Sequence, residues 1–293
     1  MPEPASNDIK SKIFDYVVVN GERLLAEKAQ TSLFDHAFLA SYGVYETAKI
    51  DQGRPFYLED HLRRLLRSAQ LIEIKIEADV ATLTSWFNLL IEVDPGATWG
   101  LKILVLGAVA KETRPVIALQ ANPLPRYPEQ LYRDGAQAVL YEGLRAVPTC
   151  KSLNTLVNHM ARQKASRAGA LEGLLHYAGY LTEGSRSSLF VVRQGQLTTA
   201  PQATVLPGIT RDLIFQVMRD SPYPVAEAPI PVDLAQFDEA FISSTSMHVM
   251  PIIRLENQPV GDGQVGPITR TVMARFNSFY DQVMAETSSQ PPK

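Results

Sequence analysis

The sequence predicts an α/β protein in two domains, and three observations carry that prediction. Apolar periods of two and of 3.6 residues are interleaved along the whole chain rather than segregated, which marks mixed sheet and helix. At 293 residues the chain is long for one hydrophobic core. The stretch ANPLPRYPEQ, Ala121 to Gln130, puts three prolines within six residues and has no apolar period. A linker over 121–130 is therefore expected between a small N-terminal α/β domain, 1–120, and a larger C-terminal α/β domain, 131–293, that carries Lys151.

The elements follow in order. Phe14 to Val19 alternates loosely, Asn20-Gly21-Glu22 turns the chain and Arg23 to Glu27 returns, which predicts an opening hairpin. Val44 to Ile50 and Pro55 to Leu58, about the Asp51-Gln52-Gly53 turn, predict a second. From Glu59, Leu62, Leu65, Leu66, Ala69 and Ile72 mark one helical face, and the strand-like EIKIE of Glu73 to Glu77 follows. A helix over Ala81 to Val93 precedes buried strands over Leu101 to Gly107 and Val116 to Gln120.

Beyond the linker, Val139 to Val147 reads as a strand running into a helix striped by Leu153, Leu156, Val157, Met160 and Ala161. A hairpin over Leu174 to Leu197, the loop TTAPQATVLPG, a helix over Ile209 to Arg219, a strand over Glu239 to Ser243 and a closing helix over Ile268 to Met284 complete the chain. The polar ends, MPEPASNDIKSK and ETSSQPPK, are expected to fray.

Composition narrows the function. A net charge of −3 leaves no positive field for a phosphate backbone, so no nucleic-acid partner is expected and a small-molecule role gains. Cys150 is the one cysteine and the N-terminus lacks an apolar signal core, so a cytoplasmic location is expected. The most apolar run, Ile103 to Ala110, is far shorter than the roughly 20 residues of a spanning helix, and no membrane partner is expected. GxGxxG, GxxxxGK[ST] and HExxH are missing, the five histidines lack metal-ligand spacing, and GSRSS at Gly184 is no nucleophile elbow. No metal is expected.

Anion-friendly features remain. In LPGITR, Ile209, Thr210 and Arg211 open a helix whose N–H groups suit a phosphate, or else form an ordinary cap. The cluster Ser243, Ser244, Thr245 and Ser246 offers more donors, or else a polar turn. Arg63 and Arg67 suit a solvated face, whereas Arg64 projects toward the apolar stripe and would there need an anion. Glu183 ends a strand, either as a turn acceptor or aimed at a pyridine nitrogen. Lys151 falls where a helix is expected to begin, an unfavourable place for a cation beside the positive end of the macrodipole.

The order DHAFLASYGVYE, HLRRLLRSA, CKSLN, LTEGSRSSLF, LPGITR and ISSTS, with Pro251 following, resembles the fold-type IV pyridoxal-phosphate enzymes from about Asp35 to Pro251. These are the branched-chain and D-amino-acid aminotransferases and aminodeoxychorismate lyase. The resemblance implies two α/β domains with pyridoxal 5'-phosphate in the cleft between them, a homodimer, and transfer of an amino group from a D-amino acid, a branched-chain amino acid or an amine to a 2-oxo acid. It implies that Lys151 bonds the cofactor aldehyde and shuttles the proton, Glu183 partners the pyridine nitrogen and Leu206 packs on the ring. Arg64, Ile209, Thr210, Ser244 and Thr245 would hold the phosphate, and Tyr45 would line the substrate pocket.

A lyase on the same cofactor and a non-catalytic pyridoxal-phosphate-binding protein are the alternatives. The chain departs from the family at the substrate carboxylate: Leu106 and Leu101 stand where the D-amino-acid and branched-chain enzymes would have arginine. Arg186 is the best local replacement and Lys102 a weaker one.

Overall fold

A computed structural model describes residues 11–32, 34–108, 114–233 and 236–286. It separates into two compact units: 11–125 together with Cys150–Asn154, and Arg126–Thr149 together with 155–286. The second crossing differs from expectation, since the five residues around Lys151 cluster with the N-terminal unit rather than the C-terminal one. Strand pairing is the reason: Val44 bridges Ser152, the Tyr45 N–H donates to the Lys151 carbonyl at 2.9 Å, and the Leu153 N–H donates to the Gly43 carbonyl at 2.9 Å.

The N-terminal unit comprises β1 (Tyr16–Val19), β2 (Glu22–Leu25), α1 (His36–Leu39), β3 (Gly43–Asp51), β4 (Arg54–Pro55), α2 (Leu58–Leu71), α3 (Val80–Ile91), β5 (Trp99–Leu106) and β6 (Val116–Asn122). The strands form an antiparallel sheet in the order β2-β1-β6-β5-β3-β4. Alternation along GVYETAKID buries Val44, Glu46, Ala48 and Ile50 on one face of β3. That face meets α2, whose Leu62, Leu65 and Ala69 are buried as their spacing predicts.

EIKIE forms no strand. Glu73 adopts φ 60°, and the Ile74 N–H reaches back to the Ala69 carbonyl at 2.9 Å, a left-handed helix close that turns the segment away from any sheet. Of the ends expected to fray, 1–10 and 287–293 lie outside the described residues, whereas Lys12–Asp15 makes a short 3-10 turn.

The C-terminal unit comprises α4 (Glu129–Asp134), β7 (Ala136–Glu142), α5 (Leu156–Arg167), β8 (Glu172–Tyr177), β9 (Tyr180–Gly184), β10 (Ser188–Arg193), β11 (Gln196–Thr199), α6 (Ile209–Met218), β12 (Ala226–Glu227), β13 (Ile230–Pro231), β14 (Glu239–Ser244), β15 (His248–Leu255), β16 (Gln258–Pro259) and α7 (Pro267–Glu286). Its sheet runs β12-β11-β10-β14-β15-β7-β8-β9-β13, with β16 on β15. The pairing of Ser188 with Glu183 joins β10 to β9 and closes β10-β14-β15-β7-β8-β9 into a ring. Ala138, Leu174, Leu181, Leu189, Val191, Ile242, Met250 and Ile252 share one buried cluster in this unit.

Several local readings change here. The expected linker, 121–130, overlaps the end of β6 and the start of α4, and β15 was not anticipated because HVMPIIRL carries a proline; Pro251 sits opposite Phe241, before β7 begins to pair at Ile252. The predicted hairpin is four strands, β8 to β11. The strand expected to reach Val147 ends at Glu142, and the helix starts only at Leu156. Leu156 and Met160 point outward, while Asn158, Ala161 and Ala165 face in. Helix α5 lies too close to β8 for large inward side chains: a Cβ on Gly173 would meet the Ala161 carbonyl oxygen at 2.4 Å.

Candidate active site

The backbone of Lys151 is held by two elements. β3 takes its carbonyl through Tyr45, and α2 supplies Ser68, whose Oγ accepts from the Lys151 N–H at 3.2 Å and whose carbonyl accepts from Cys150 Sγ at 3.3 Å. Its Nζ lies 4.6 Å from the centroid of the Tyr45 ring. Helix α5 begins at Leu156, so the electrostatic reason given for the lysine's position is corrected: Lys151 sits in a non-helical segment that Ser152 bridges to β3, and not at a helix start.

Arg64 does turn inward, as its phase on the helix predicts, and is 8% exposed. An anion waits for it that the sequence reading missed. Glu46 accepts from Arg64 Nε at 2.8 Å and Nη2 at 2.6 Å, and also from the Thr47 N–H at 2.8 Å. His61 Nδ1 lies 3.1 Å from the same carboxylate. Burial alone would raise the Glu46 carboxyl, but the charge and hydrogen bonds of Arg64, with His61, hold it well below the ordinary range. His61 is pushed below its usual 6.5 by burial first, against the pull of Glu46 and with that of Arg64 and Lys151. It is thus neutral, with Nδ1–H donating to Glu46. The alternation of VYETA was the available signal: Tyr45 and Glu46 must face opposite sides of the sheet.

Tyr45 shares its face with Leu104, its direct partner, and with Lys102 and Leu106 on alternate positions of β5. Leu101 faces the core side, at 1% exposure, so the two positions where arginine was sought lie on opposite faces. Lys102 is exposed on the Tyr45 face. A cavity of about 740 Å³ in the N-terminal unit, lined by Tyr42, Lys75, Trp86 and Arg114 among others, contains none of the predicted site residues.

In the C-terminal unit Glu183 is buried at the ring-closing pair. Its Oε2 accepts from the Leu206 N–H at 3.2 Å, which brings Leu206 beside it, and Arg145 Nε lies 3.6 Å from Oε1. Arg145 escaped the sequence reading because no motif frames it. The GSRSS turn also wraps a carboxylate: Glu172, fully buried, accepts from the Gly173 N–H at 2.9 Å, Ser185 Oγ at 2.5 Å and Ser187 Oγ at 2.9 Å. Arg186 Nε lies 4.0 Å from Glu172 and its guanidinium 6.0 Å from the Tyr127 ring. Gly184 makes this possible, since a Cβ there would meet Ser187 Oγ at 2.1 Å.

The phosphate candidates lie on α6 and at the end of β14. Gly208 precedes α6 and packs so tightly that a Cβ would meet Ser188 Oγ at 2.8 Å; Ile209 and Thr210 form the first turn, with Thr210 buried. Arg211 turns into the unit, donating to the Ala200 carbonyl at 3.1 Å and to Glu227 at 2.9 Å. Ser243 and Ser244 carry buried Oγ atoms with no hydrogen-bond partner among the described residues, and Thr245 follows in the turn. Buried hydroxyls without partners are costly unless a ligand completes them. Each unit offers groups that pyridoxal phosphate uses: in the N-terminal unit an amine for an aldehyde and an arginine for a phosphate, and in the C-terminal unit a buried carboxylate for a pyridine nitrogen with hydroxyls and a helix start for a phosphate. Among the described residues no group of His, Cys, Asp and Glu could hold a metal.

Comparison with known proteins agrees. The family model for amino-transferase class IV matches residues 43–255. A D-alanine aminotransferase of Staphylococcus aureus (strain COL) is 31% identical over 276 residues, covering 90% of this chain and 98% of that protein. One from Bacillus licheniformis is 30% identical, covering 93% and 98%. Among solved structures, the Escherichia coli branched-chain amino acid aminotransferase superposes with TM-score 0.81 at 26% identity, covering 88% of this chain and 92% of that one. A second branched-chain amino acid aminotransferase, from T.th. and solved with pyridoxamine 5'-phosphate, gives 0.82 at 26% identity, covering 89% and 92%.

Proposed function

The chain belongs to the class IV aminotransferases, pyridoxal-phosphate-dependent transaminases that move an amino group from a donor to a 2-oxo acid, and from that premise we propose its residue roles and its donor. Pyridoxal phosphate, when bound, supplies an aldehyde for the donor's nitrogen and an electron-withdrawing ring. Lys151 Nζ holds that aldehyde at rest and moves the proton at the donor's α-carbon. Glu183 keeps a proton at the pyridine nitrogen. Leu206, tied to Glu183 by its N–H, packs on the ring face. Arg64, the N–H groups of Ile209 and Thr210, the Thr210 hydroxyl, and Ser244 and Thr245 hold the phosphate. Tyr45 lines the donor's pocket. Arg186 receives the donor's carboxylate, and Arg186→Ala raises KM for amino acids without touching amines; an unchanged KM removes that role.

The carrying observation is the backbone clamp on Lys151 by β3 and α2, which presents Nζ at the Tyr45 ring. Reduction of the purified protein with borohydride, followed by peptide mapping, should place the label on Lys151; a label elsewhere or none refutes the assignment. The donor is a D-amino acid, supported by about 30% identity to D-alanine aminotransferases across nearly their whole length. Separate spectral titrations with D-alanine, L-leucine and (R)-1-phenylethylamine should show bleaching with D-alanine first. Bleaching by L-leucine or the amine alone reassigns the donor, and pyruvate release without a 2-oxo acid would indicate a lyase.

We also place the protein in the cytoplasm as a homodimer. Cys150 is buried and, as the one cysteine of the sequence, cannot form a disulfide within the chain, which suits a reducing compartment. Phe34 at 84% exposure and Leu39 at 63%, with Phe38 beside them, and Leu156 at 68% are large apolar side chains that a second copy would cover. Sedimentation at twice the chain mass is expected, and monomer mass would refute it.

A further inference from the structure

Glu46 has no part in the roles assigned above, yet its carboxylate is fully buried and every group around it is a donor. We propose that Glu46 is a positioning residue, which fixes the plane of the Arg64 guanidinium and so the direction in which Arg64 meets the cofactor's phosphate. This rests on the reading of Arg64 as a phosphate ligand.

A guanidinium is a rigid fork of five N–H groups. Glu46 Oε2 takes the Nε side and Oε1 takes Nη2, so the carboxylate grips one whole edge and leaves the fork a single heading. The carboxylate is fixed in turn, because Oε1 also receives the Thr47 N–H and lies 3.1 Å from His61 Nδ1. Glu46 follows Tyr45 on β3, whose N–H holds the Lys151 carbonyl. Ser68, one helical turn beyond Arg64, receives the Lys151 N–H. One strand and one helix therefore register both the amine that takes the aldehyde and the arginine that takes the phosphate. A shift of β3 against α2 would misplace both together.

An amide at position 46 cannot reproduce this grip. Its NH2 would face either Arg64 Nε or the set of Arg64 Nη2, His61 Nδ1 and Thr47 N–H, donor against donor in both orientations. The fork must move, and a directional phosphate contact is lost while the aldehyde chemistry is not.

The test compares dissociation constants of pyridoxal phosphate and of pyridoxal, which lacks the phosphate, for the full-length apoprotein, by absorbance titration. Glu46→Gln should weaken pyridoxal phosphate tenfold or more and pyridoxal less than twofold. In an Arg64→Ala background the same change should add less than a further twofold. Equal losses for both ligands, or an undiminished effect without Arg64, overturn the proposal in favour of a general structural role. If Arg64→Ala alone leaves the ratio of the two constants unchanged, the phosphate role of Arg64 fails and the proposal with it. Should Glu46→Gln not fold, Glu46→Asp replaces it, keeping the charge at shorter reach; it should show the same phosphate-selective loss, and no selectivity overturns the proposal.

Discussion

Gly43 is the position where one added carbon should disturb the first sheet and the Lys151 segment together. A Cβ there would stand 2.3 Å from the Val105 carbonyl oxygen and 2.6 Å from Leu153 Cδ1. The first is backbone inside the β3–β5 ladder, where Val44 pairs with Val105, and cannot retreat without breaking pairs. The second belongs to the segment that carries Lys151. Overpacking of this kind costs about 1–3 kcal/mol. Displacing the segment also removes the Leu153-to-Gly43 and Tyr45-to-Lys151 bonds, at about 1 kcal/mol each. Gly43→Ala should therefore cost about 3–5 kcal/mol, a fall in Tm of roughly 10 °C. Differential scanning calorimetry reads that fall, and absorbance titration reads the accompanying loss of pyridoxal phosphate affinity. Adding Leu153→Ala should recover only the part due to Cδ1. A Gly43→Ala protein with wild-type Tm and affinity would refute the claim that this close approach seats Lys151.

Gly266→Ala should cost about 1–2 kcal/mol in urea denaturation: its Cβ would lie 2.0 Å from the Glu239 carboxyl carbon, and that carboxylate caps α7 through the Ile268 and Thr269 N–H groups. Glu172→Ala strands the Gly173 N–H and the Ser185 and Ser187 hydroxyls, so a loss on the order of 3 kcal/mol is expected, read as a lower urea midpoint. For pH the sign follows from His61. Its folded pKa lies below the ordinary 6.5, so the unfolded chain binds a proton that the folded chain refuses, and stability present above pH 6.5 is lost as pH falls below it. Urea midpoints from pH 8 to 5.5 should show that decline, and His61→Gln should flatten it; an equally steep decline in the variant would assign it to other groups.

How much of this was legible varies by residue. The inward turn of Arg64 followed from helical phase, and the hairpins from Asn20-Gly21 and Gln52-Gly53 turns. Lys151 stands out as a candidate through CKSLN, but its setting is not legible, because a strand ending at Glu142 and a helix starting at Leu156 leave a connecting stretch that no local period describes. Glu46 stayed hidden because its partner is 18 residues away and the pairing requires β3 to lie beneath α2.

The sequence by itself determined what depends on neighbours along the chain: the mixed element types, the turns, the inward arginine, and the ordered motifs of a pyridoxal-phosphate enzyme. Only the tertiary structure decided which unit holds Lys151, which carboxylate grips Arg64, that Glu172 gathers the GSRSS turn, and that a proline-bearing strand enters the second sheet. Those outcomes are set by hydrogen bonds and close contacts between residues distant in sequence, whose energy exists only once the backbone has brought them together.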